Sequence, residues 1–280
     1  RMNNPLSFSK LSKRFGVEWL PNEISSFLDH ILGFSKLNNL YDKSVVQTKI
    51  NKKTKFFEAV LKELDVRVEV QPNEAEKIPR TGPLVVVANH PFGGIDGLAL
   101  GSLLTKTRPD FKLLVNQELG VFDEMNPWLF KVDVLSGLSA KSKNLKVLAD
   151  CIRFLKDGNC MGVFPAGEVS SLHLKTRKII DPEWSSHPVS LAKITGAQIL
   201  PVCFKGANSV LFQMMGIIHP RLRTLMLARE LNNKRGMELE MRIGEPISHS
   251  KICSFPSISE VSEYTRVCVE ALKNDQSPRR

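Results

Sequence analysis

The spacing of apolar residues first changes near Val66, and that change divides the chain. From Ser7 to about Leu64 apolar positions recur every three or four residues, first as Ile24, Phe27, Leu28, Ile31 and Leu32 and again as Phe56, Phe57, Val60, Leu61 and Leu64, the period of amphipathic helices. From Val66 the period falls to two, with Val66, Val68 and Val70 alternating with Arg67 and Glu69 as in a half-buried strand. The turn-rich segment Pro79-Arg80-Thr81-Gly82-Pro83 then leads into Leu84–Ala88, apolar at every position and so expected to be covered on both faces. Strand and helix alternate after it: a helix over 98–104, a strand over 112–116, a helix over 143–156 closed by Gly158, a strand over 160–164, a helix over 189–195 closed by Gly196, and a strand over 198–204. A strand over 239–243 and a helix over 258–272 follow. This alternation predicts an α/β fold with a mostly parallel sheet flanked by helices. The expected organisation is an N-terminal helical, membrane-associating region over 1–75, a main domain over 76–250, and a C-terminal helix and tail over 251–280.

Composition supports one folded core. The chain has 280 residues, 42% hydrophobic and 24% charged, which excludes disordered, collagen-like and disulfide-scaffold classes. No apolar run approaches the roughly 18 residues that cross a bilayer, and Arg1-Met2-Asn3-Asn4-Pro5 is not followed by the apolar segment of a signal peptide. The five cysteines, Cys151, Cys160, Cys203, Cys253 and Cys268, are widely spaced and form no zinc pattern, so a reducing, cytoplasmic location is expected. Charge changes the picture more. With 39 Lys plus Arg against 29 Asp plus Glu, the net charge of +10 predicts an anionic partner: nucleic acid, an anionic membrane surface, or an acidic or phosphorylated small molecule. Nucleic acid is set aside, because the 15 Phe, 3 Trp and 2 Tyr are not interleaved with the basic residues as a base-stacking platform requires. Lys43, Lys49, Lys52, Lys53 and Lys55 form either a solvated helix face or a surface for anionic lipid, and Arg221, Arg223, Arg229, Lys234 and Arg235 form either a solvated face or a site for anionic lipid or the phosphates of an acyl carrier.

Open α/β sheets bind their ligands at the carboxyl ends of the strands, so the residues leaving each apolar strand are the candidates. The first exit is Asn89-His90-Pro91-Phe92-Gly93-Gly94-Ile95-Asp96-Gly97. An aspartate on one imidazole nitrogen frees the other to take a proton, so His90 and Asp96 can form a general base; equally, Asp96 can be the cap of the helix that follows. The second exit is Phe164-Pro165-Ala166-Gly167-Glu168-Val169-Ser170-Ser171, and the third, within Leu200-Pro201-Val202-Cys203-Phe204-Lys205-Gly206, precedes Asn208. The other histidines, His30, His173, His187, His219 and His249, are isolated, and no metal site is expected.

Asn-His followed by Asp, then Phe-Pro-x-Gly, then a strand carrying Pro-Val before a Gly resembles the signature of the glycerolipid and lysophospholipid acyltransferases over about Pro79 to Ile247. The resemblance implies transfer of a fatty acyl chain from acyl carrier protein or coenzyme A to the hydroxyl of a lysolipid, with no cofactor. It implies that His90 is the general base, that Asp96 orients it, and that Gly93, Gly94, Phe164, Pro165, Gly167, Glu168, Ser170 and Pro201 line the substrate site, with an N–H near Gly93 or Gly94 facing the oxyanion. It also implies peripheral attachment to the cytoplasmic face of the inner membrane. No Ser or Cys nucleophile is then needed, and Gly137-Leu138-Ser139-Ala140-Lys141 fails as a nucleophile elbow at its last position.

The departures from the family pattern are informative. Five residues separate His90 from Asp96 where the family has four, and Gly93-Gly94 supplies the freedom to absorb the extra one. The family's Phe-Pro-Glu-Gly-Thr-Arg is here Phe-Pro-Ala-Gly-Glu-Val, so an arginine suited to a phosphate is missing; the second arginine-bearing motif has only Leu129-Phe130-Lys131-Val132-Asp133 in its place. These losses, with the His-Pro-Phe-Gly-Gly-Ile-Asp-Gly form, resemble the branch that acylates lyso-ornithine or lyso-glycine lipids, where Glu168 can meet a cationic headgroup. The alternatives are acylation of lysophosphatidate, thioester hydrolysis, and a non-catalytic lipid-binding protein.

Overall fold

The computed structural model of the protein describes Ser7 and residues 22–50, 55–133 and 137–274; the remainder of the helical pattern before Asn22, and Lys52 and Lys53, lie outside them. In chain order the elements are helices α1 (Asn22–Ile31), α2 (Phe34–Ile50) and α3 (Phe56–Glu63), strand β1 (Arg67–Glu69), the single turn α4 (Pro72–Ala75), β2 (Leu84–Ala88), α5 (Gly94–Thr107) and β3 (Phe111–Asn116). Two 3-10 turns, β4 (Leu129–Val132), α6 (Gly137–Lys156), β5 (Cys160–Val163) and a hairpin of β6 (Ser171–His173) and β7 (Lys178–Ile180) follow. The chain continues through α7 (His187–Thr195), β8 (Gln198–Phe204), α8 (Val210–Ile218), α9 (Pro220–Asn233), β9 (Glu238–Ile243), α10 (His249–Cys253) and α11 (Ile258–Asn274).

Seven strands form one sheet in the order β1-β9-β8-β2-β5-β3-β4, with every neighbouring pair parallel except β8 and β9. The all-apolar strand β2 is central and every one of its residues is buried, because both its faces are covered. Successive side chains of a strand point to opposite faces. Leu84, Val86 and Ala88 accordingly join one core with Phe57, Leu100 and Leu104, while Val85 and Val87 join a second with Leu155, Val189, Leu191 and Val261. Helix α3 belongs to the first core: Phe57 is fully buried, with its ring 5.9 Å from Phe111 and 6.5 Å from Trp128. A third cluster joins Phe34 and Leu37 of α2 to Val169, Phe212, Met226 and Ala228, so α2 turns apolar residues into the protein.

At the amino ends of the strands a buried arginine acts as a staple. Arg108 donates to the carbonyls of Pro79 (2.9 Å), Gly82 (2.9 Å) and Gly158 (3.0 Å), and pairs with both Asp110 oxygens at 2.9 and 2.7 Å. One side chain thus ties together the approaches to β2, β3 and β5.

The structure departs from the sequence pattern in several places, among them strand β4 and the short helices α4 and α10, which the pattern does not predict. Helix α5 starts at Gly94, four residues before the expected 98, because Asp96 caps it from inside its first turn; α6 starts earlier too, at Gly137. The hairpin and helices α8 and α9 have no counterpart in the sequence reading: Val210–Ile218 is apolar almost throughout and gives no period to detect. Among the described residues no helix is long and apolar enough to cross a membrane.

Candidate active site

The strand order reverses at β2, since β5, β3 and β4 lie on one side of it and β8, β9 and β1 on the other. Loops leaving neighbouring strands in opposite directions open a crevice at their carboxyl ends. Val87 sits level with Val163 of β5 and Pro201 of β8, so the three exits singled out in the sequence emerge side by side. Asn89, immediately after β2, fixes the height of the next residue. Its buried amide donates to the Phe204 carbonyl (2.9 Å) and accepts from the Phe204 N–H (2.7 Å), so a side chain continues the hydrogen bonding between β2 and β8.

His90 Nδ1 lies 3.0 Å from Oδ2 of Asp96, which is wholly buried. The contact is bent away from hydrogen-bond alignment, and Asp96 Oδ1 has no hydrogen-bond partner; such pairs commonly straighten only in the substrate complex. Oδ2 also accepts from the N–H groups of Phe92 (2.9 Å) and Gly93 (3.0 Å). One carboxylate therefore closes the N-terminus of α5 and also faces His90, as a general-base pair would require. Gly93 precedes that helix with φ +91°, where a Cβ would come within 3.1 Å of Leu227 and 3.2 Å of Val169, so the extra residue in the motif is absorbed where only glycine fits. Burial pushes the Asp96 carboxyl above its ordinary value, and the His90 ring with the Phe92 and Gly93 N–H groups pulls the other way. With Asp96 on Nδ1, Nε2 is the ring nitrogen left to exchange a proton. The ring is stacked on Phe164 at 4.3 Å and 29°, and its side chain is 18% exposed, so it is held but reachable.

Asp181, which the sequence reading missed, holds the backbone beneath this ring. Its two oxygens accept from the His90 N–H at 3.3 Å each, from the Ser170 hydroxyl, and from Trp184 Nε1 at 3.0 Å. Ser170 in turn donates its N–H to the His90 carbonyl at 2.9 Å. The second exit loop and the segment after β7 thereby clamp both sides of the His90 peptide. Asp181 follows a short hairpin as the start of Asp-Pro-Glu-Trp, a common turn-like string with no spacing to single it out. The third exit braces the loop from behind. Asn208 donates to the Phe92 carbonyl (3.3 Å), and a Cβ at Gly206 (φ +121°) would fall 2.5 Å from the Phe92 ring. Lys234 Nζ lies 4.7 Å over the same ring.

Of the expected site residues, His90, Gly93, Gly94, Asp96, Phe164 and Ser170 meet here. Pro165 and Gly167 shape the loop: the Pro165 carbonyl accepts from the Ser185 N–H, and Gly167 adopts φ +66°. The Gly93 N–H is held by Asp96, so that donor is not free for an oxyanion. Pro201 is buried within β8, three residues before its end, against Gly244, and takes no part in the cluster around His90. Glu168 is paired with Arg223 of α9 at 2.8 Å, so the loop that lacks an arginine in sequence receives one from a distant helix. The cluster containing Arg223 is not simply a solvated face. Arg229 and Lys234 lie 3.8 and 3.5 Å from the buried Glu230, and burial lowers the Lys234 ammonium against the pull of Glu230. The side chain of Arg221 lies outside the described residues.

Among the described residues no group of His, Cys, Asp and Glu is arranged to hold a metal ion. Burial pushes the thiols of Cys151, Cys160 and Cys203 up to about 12, which leaves them unsuited as nucleophiles. What the site offers is a seated imidazole with a buried carboxylate behind it at the open edge of an α/β sheet. Residues 46–277 match the acyltransferase family, and the chain belongs to it: the protein is an acyltransferase. Two curated relatives are both named lyso-glycine lipid O-acyltransferase. That from Phocaeicola vulgatus is 28% identical over 85% of this chain and 83% of its own length; that from Bacteroides thetaiotaomicron is 28% identical over 91% and 92%. Among solved structures, the 1-acyl-sn-glycerophosphate acyltransferase PlsC from Thermotoga maritima aligns with 97% of this chain and 91% of its own at 19% identity and a TM-score of 0.49.

Proposed function

We propose that the protein transfers a fatty acyl chain from a thioester of acyl carrier protein or coenzyme A to the hydroxyl of a lyso-aminolipid, a lyso-glycine or lyso-ornithine lipid, at the cytoplasmic surface of a membrane. The observation that carries the proposal is the His90–Asp96 pair at the carboxyl edge of the sheet, in a chain of the acyltransferase family whose relatives are named for lyso-glycine lipid.

In the proposed reaction the acceptor O–H attacks the thioester carbonyl while its proton passes to His90 Nε2. Asp96 stabilises the imidazolium so formed through Nδ1. The tetrahedral oxyanion then collapses, the C–S bond breaks, and the thiolate leaves with the proton from Nε2, giving an ester and a thiol. No covalent enzyme intermediate is needed, in accord with three deeply buried thiols. In this reading the oxyanion is stabilised by the positive N-terminal end of α5, with the Gly94 N–H as the nearest candidate donor now that Asp96 holds that of Gly93.

The Glu168–Arg223 pair beside the second exit loop supports the choice of headgroup. Arg223 is 12% exposed and Glu168 65% exposed. Glycine and ornithine headgroups both carry a free carboxylate, which a guanidinium binds through two hydrogen bonds, and ornithine adds an ammonium for Glu168.

The test is acyl transfer by the purified protein from labelled acyl carrier protein and acyl coenzyme A to lyso-glycine lipid, lyso-ornithine lipid and lysophosphatidate, with thioester loss followed in parallel. Ester formation with a lyso-aminolipid is expected. Preference for lysophosphatidate overturns the headgroup assignment, and thioester loss that is indifferent to lysolipid makes the protein a thioesterase.

A further inference from the structure

Helix α8 is apolar on two sides. Phe212 and Gln213 are buried against the body of the protein, while Val210, Leu211, Met214, Ile217 and Ile218 are 75%, 42%, 54%, 49% and 69% exposed. Their spacing at 210, 211, 214, 217 and 218 places them on one face, the outward one. With Leu174 at the tip of the β6–β7 hairpin they make up six of the twelve large hydrophobic residues that stand exposed among the described residues, where isolated exposures are the ordinary case.

The hairpin packs on this helix, with the Leu172 N–H donating to Gln213 Oε1 at 2.9 Å, and its tip carries exposed Lys175, Arg177 and Lys178. No acidic residue occurs from Val169 to Ile180 or from Lys205 to Arg229. An apolar face bordered by the exposed cations Lys175, Arg177 and Lys178 complements a bilayer that contains anionic lipid. The surface also adjoins the active site. Ser170, which donates to the His90 carbonyl, is two residues from Leu172, about 7 Å of chain. A Cβ at Gly216 of α8 would lie 3.1 Å from the stem of Arg223, whose guanidinium holds Glu168.

We infer that α8 and the β6–β7 hairpin together form the membrane-docking edge of the protein: the outward face of α8 enters the acyl boundary of the leaflet, Lys175, Arg177 and Lys178 bind anionic headgroups, and the rim at Glu168 and Arg223 is brought to the headgroup layer. The inference deepens the lysolipid reading and rests on it for the claim that the acceptor resides in that leaflet.

Sedimentation with phosphatidylcholine vesicles, with and without phosphatidylglycerol, tests it on the full chain, together with hydrogen exchange. Wild-type protein is expected to bind the anionic vesicles more tightly, with salt weakening the difference, and to gain protection over 171–180 and 210–218. Ile217→Gln with Ile218→Gln lowers partitioning by about tenfold or more. Lys175→Gln, Arg177→Gln and Lys178→Gln combined remove the preference for phosphatidylglycerol. Ile194→Gln, a control 60% exposed on α7, leaves both unchanged. The docking variants keep turnover on lysolipid presented in detergent micelles. Unchanged vesicle binding in both variants overturns the inference. So does protection of 210–218 in the free monomer, which means another part of the chain covers it, or a dimer that the isoleucine substitutions dissolve. Vesicle binding by the expected surface with no acyl transfer to any lysolipid overturns the function instead and leaves the surface standing.

Discussion

Removing the Asp181 carboxylate separates the geometry of the site from its chemistry, because Asp181 touches the His90 backbone and not its ring. The side chain accepts from three donors: the His90 N–H, shared between both oxygens, the Ser170 hydroxyl and Trp184 Nε1. Asp181→Ala strands all three. A buried donor left without a partner costs about 1–3 kcal/mol. Ser170 is only 4% exposed and bears the full penalty, whereas His90 and Trp184 are partly exposed and recover some of theirs from water, so the expected loss is about 2–5 kcal/mol. Asp181→Asn keeps an acceptor for Trp184 and presents its amide to the Ser170 hydroxyl, which can rotate to accept, so the loss should be about 1–2 kcal/mol. Turnover should fall further than stability alone explains. A displacement of about 1 Å in a reacting group costs about a hundredfold in rate, and Asp181 is the acceptor that holds the His90 N–H. The assay pairs denaturant unfolding with initial rates of acyl transfer for both variants. The expected result is a kcat about a hundredfold lower for Asp181→Ala, an intermediate value for Asp181→Asn, and little change in KM for the thioester. If Asp181→Ala loses stability but retains wild-type turnover per folded molecule, Asp181 supports only the loop and the positioning argument is refuted.

Four further outcomes are expected. His90→Ala should lower turnover by about 10²- to 10⁴-fold with the melting temperature nearly unchanged, and wild-type rates in that variant would remove the base from the mechanism. Asp96 titrates above its ordinary 3.8 because it is buried. The acid limb of the rate profile should therefore lie above that value, and the carboxyl's favourable contribution to folding, complete below 3.8, should be lost as pH rises through the raised pKa; urea unfolding across that window should show a smaller pH dependence in Asp96→Asn. Arg108→Gln removes the donor of three carbonyls and leaves partly exposed Asp110 to water, so it should cost about 1–3 kcal/mol for each carbonyl left unpaired, read from the denaturant midpoint, while leaving turnover per folded molecule intact, since the staple lies at the end of the sheet away from His90. Alkylation of the native protein near neutral pH should modify exposed Cys253 first, Cys268 more slowly, and Cys151, Cys160 and Cys203 only on unfolding; mass spectrometry that finds Cys203 labelled in the native state would contradict its burial.

Reading the sequence located β2, β5, β8, β9 and α11 within a residue or two, because their patterns are dictated by burial on one or both faces. It was less informative where polar spacing and apolar content conflict. α5 begins among Gly94-Ile95-Asp96-Gly97, poor helix formers whose conformation depends on the Asp96 side chain bonding backward to Phe92 and Gly93. α8 is nearly uniformly apolar, so its inner and outer faces cannot be told apart until Gln213 and Phe212 are seen to turn inward.

The candidate site divides the same way. His90, Asp96, Phe164 and Ser170 were legible because each leaves or follows an apolar strand, and parallel strands place such residues at one edge whatever the helices do. Asn89 stood inside the quoted motif, but its role appears only through Phe204, 115 positions away. Asp181 and Arg223 have no local signature; they matter because β7 and α9 fold back over the second exit loop, bringing a carboxylate under His90 and a guanidinium to Glu168.

By itself, then, the sequence determined the layered α/β architecture and the edge of the sheet at which His90 and Asp96 meet, since alternation of hydrophobicity and the residues at strand ends are local properties. Only the tertiary structure decided that Pro201 is an interior strand residue, that the Gly93 N–H is taken by Asp96, that the basic cluster of α9 is partly buried on Glu168 and Glu230, and that an apolar helix face is left open beside the site. Each of these depends on which distant segments meet, and hydrogen bonds, ion pairs and solvent exposure are properties of that meeting, not of any stretch of chain.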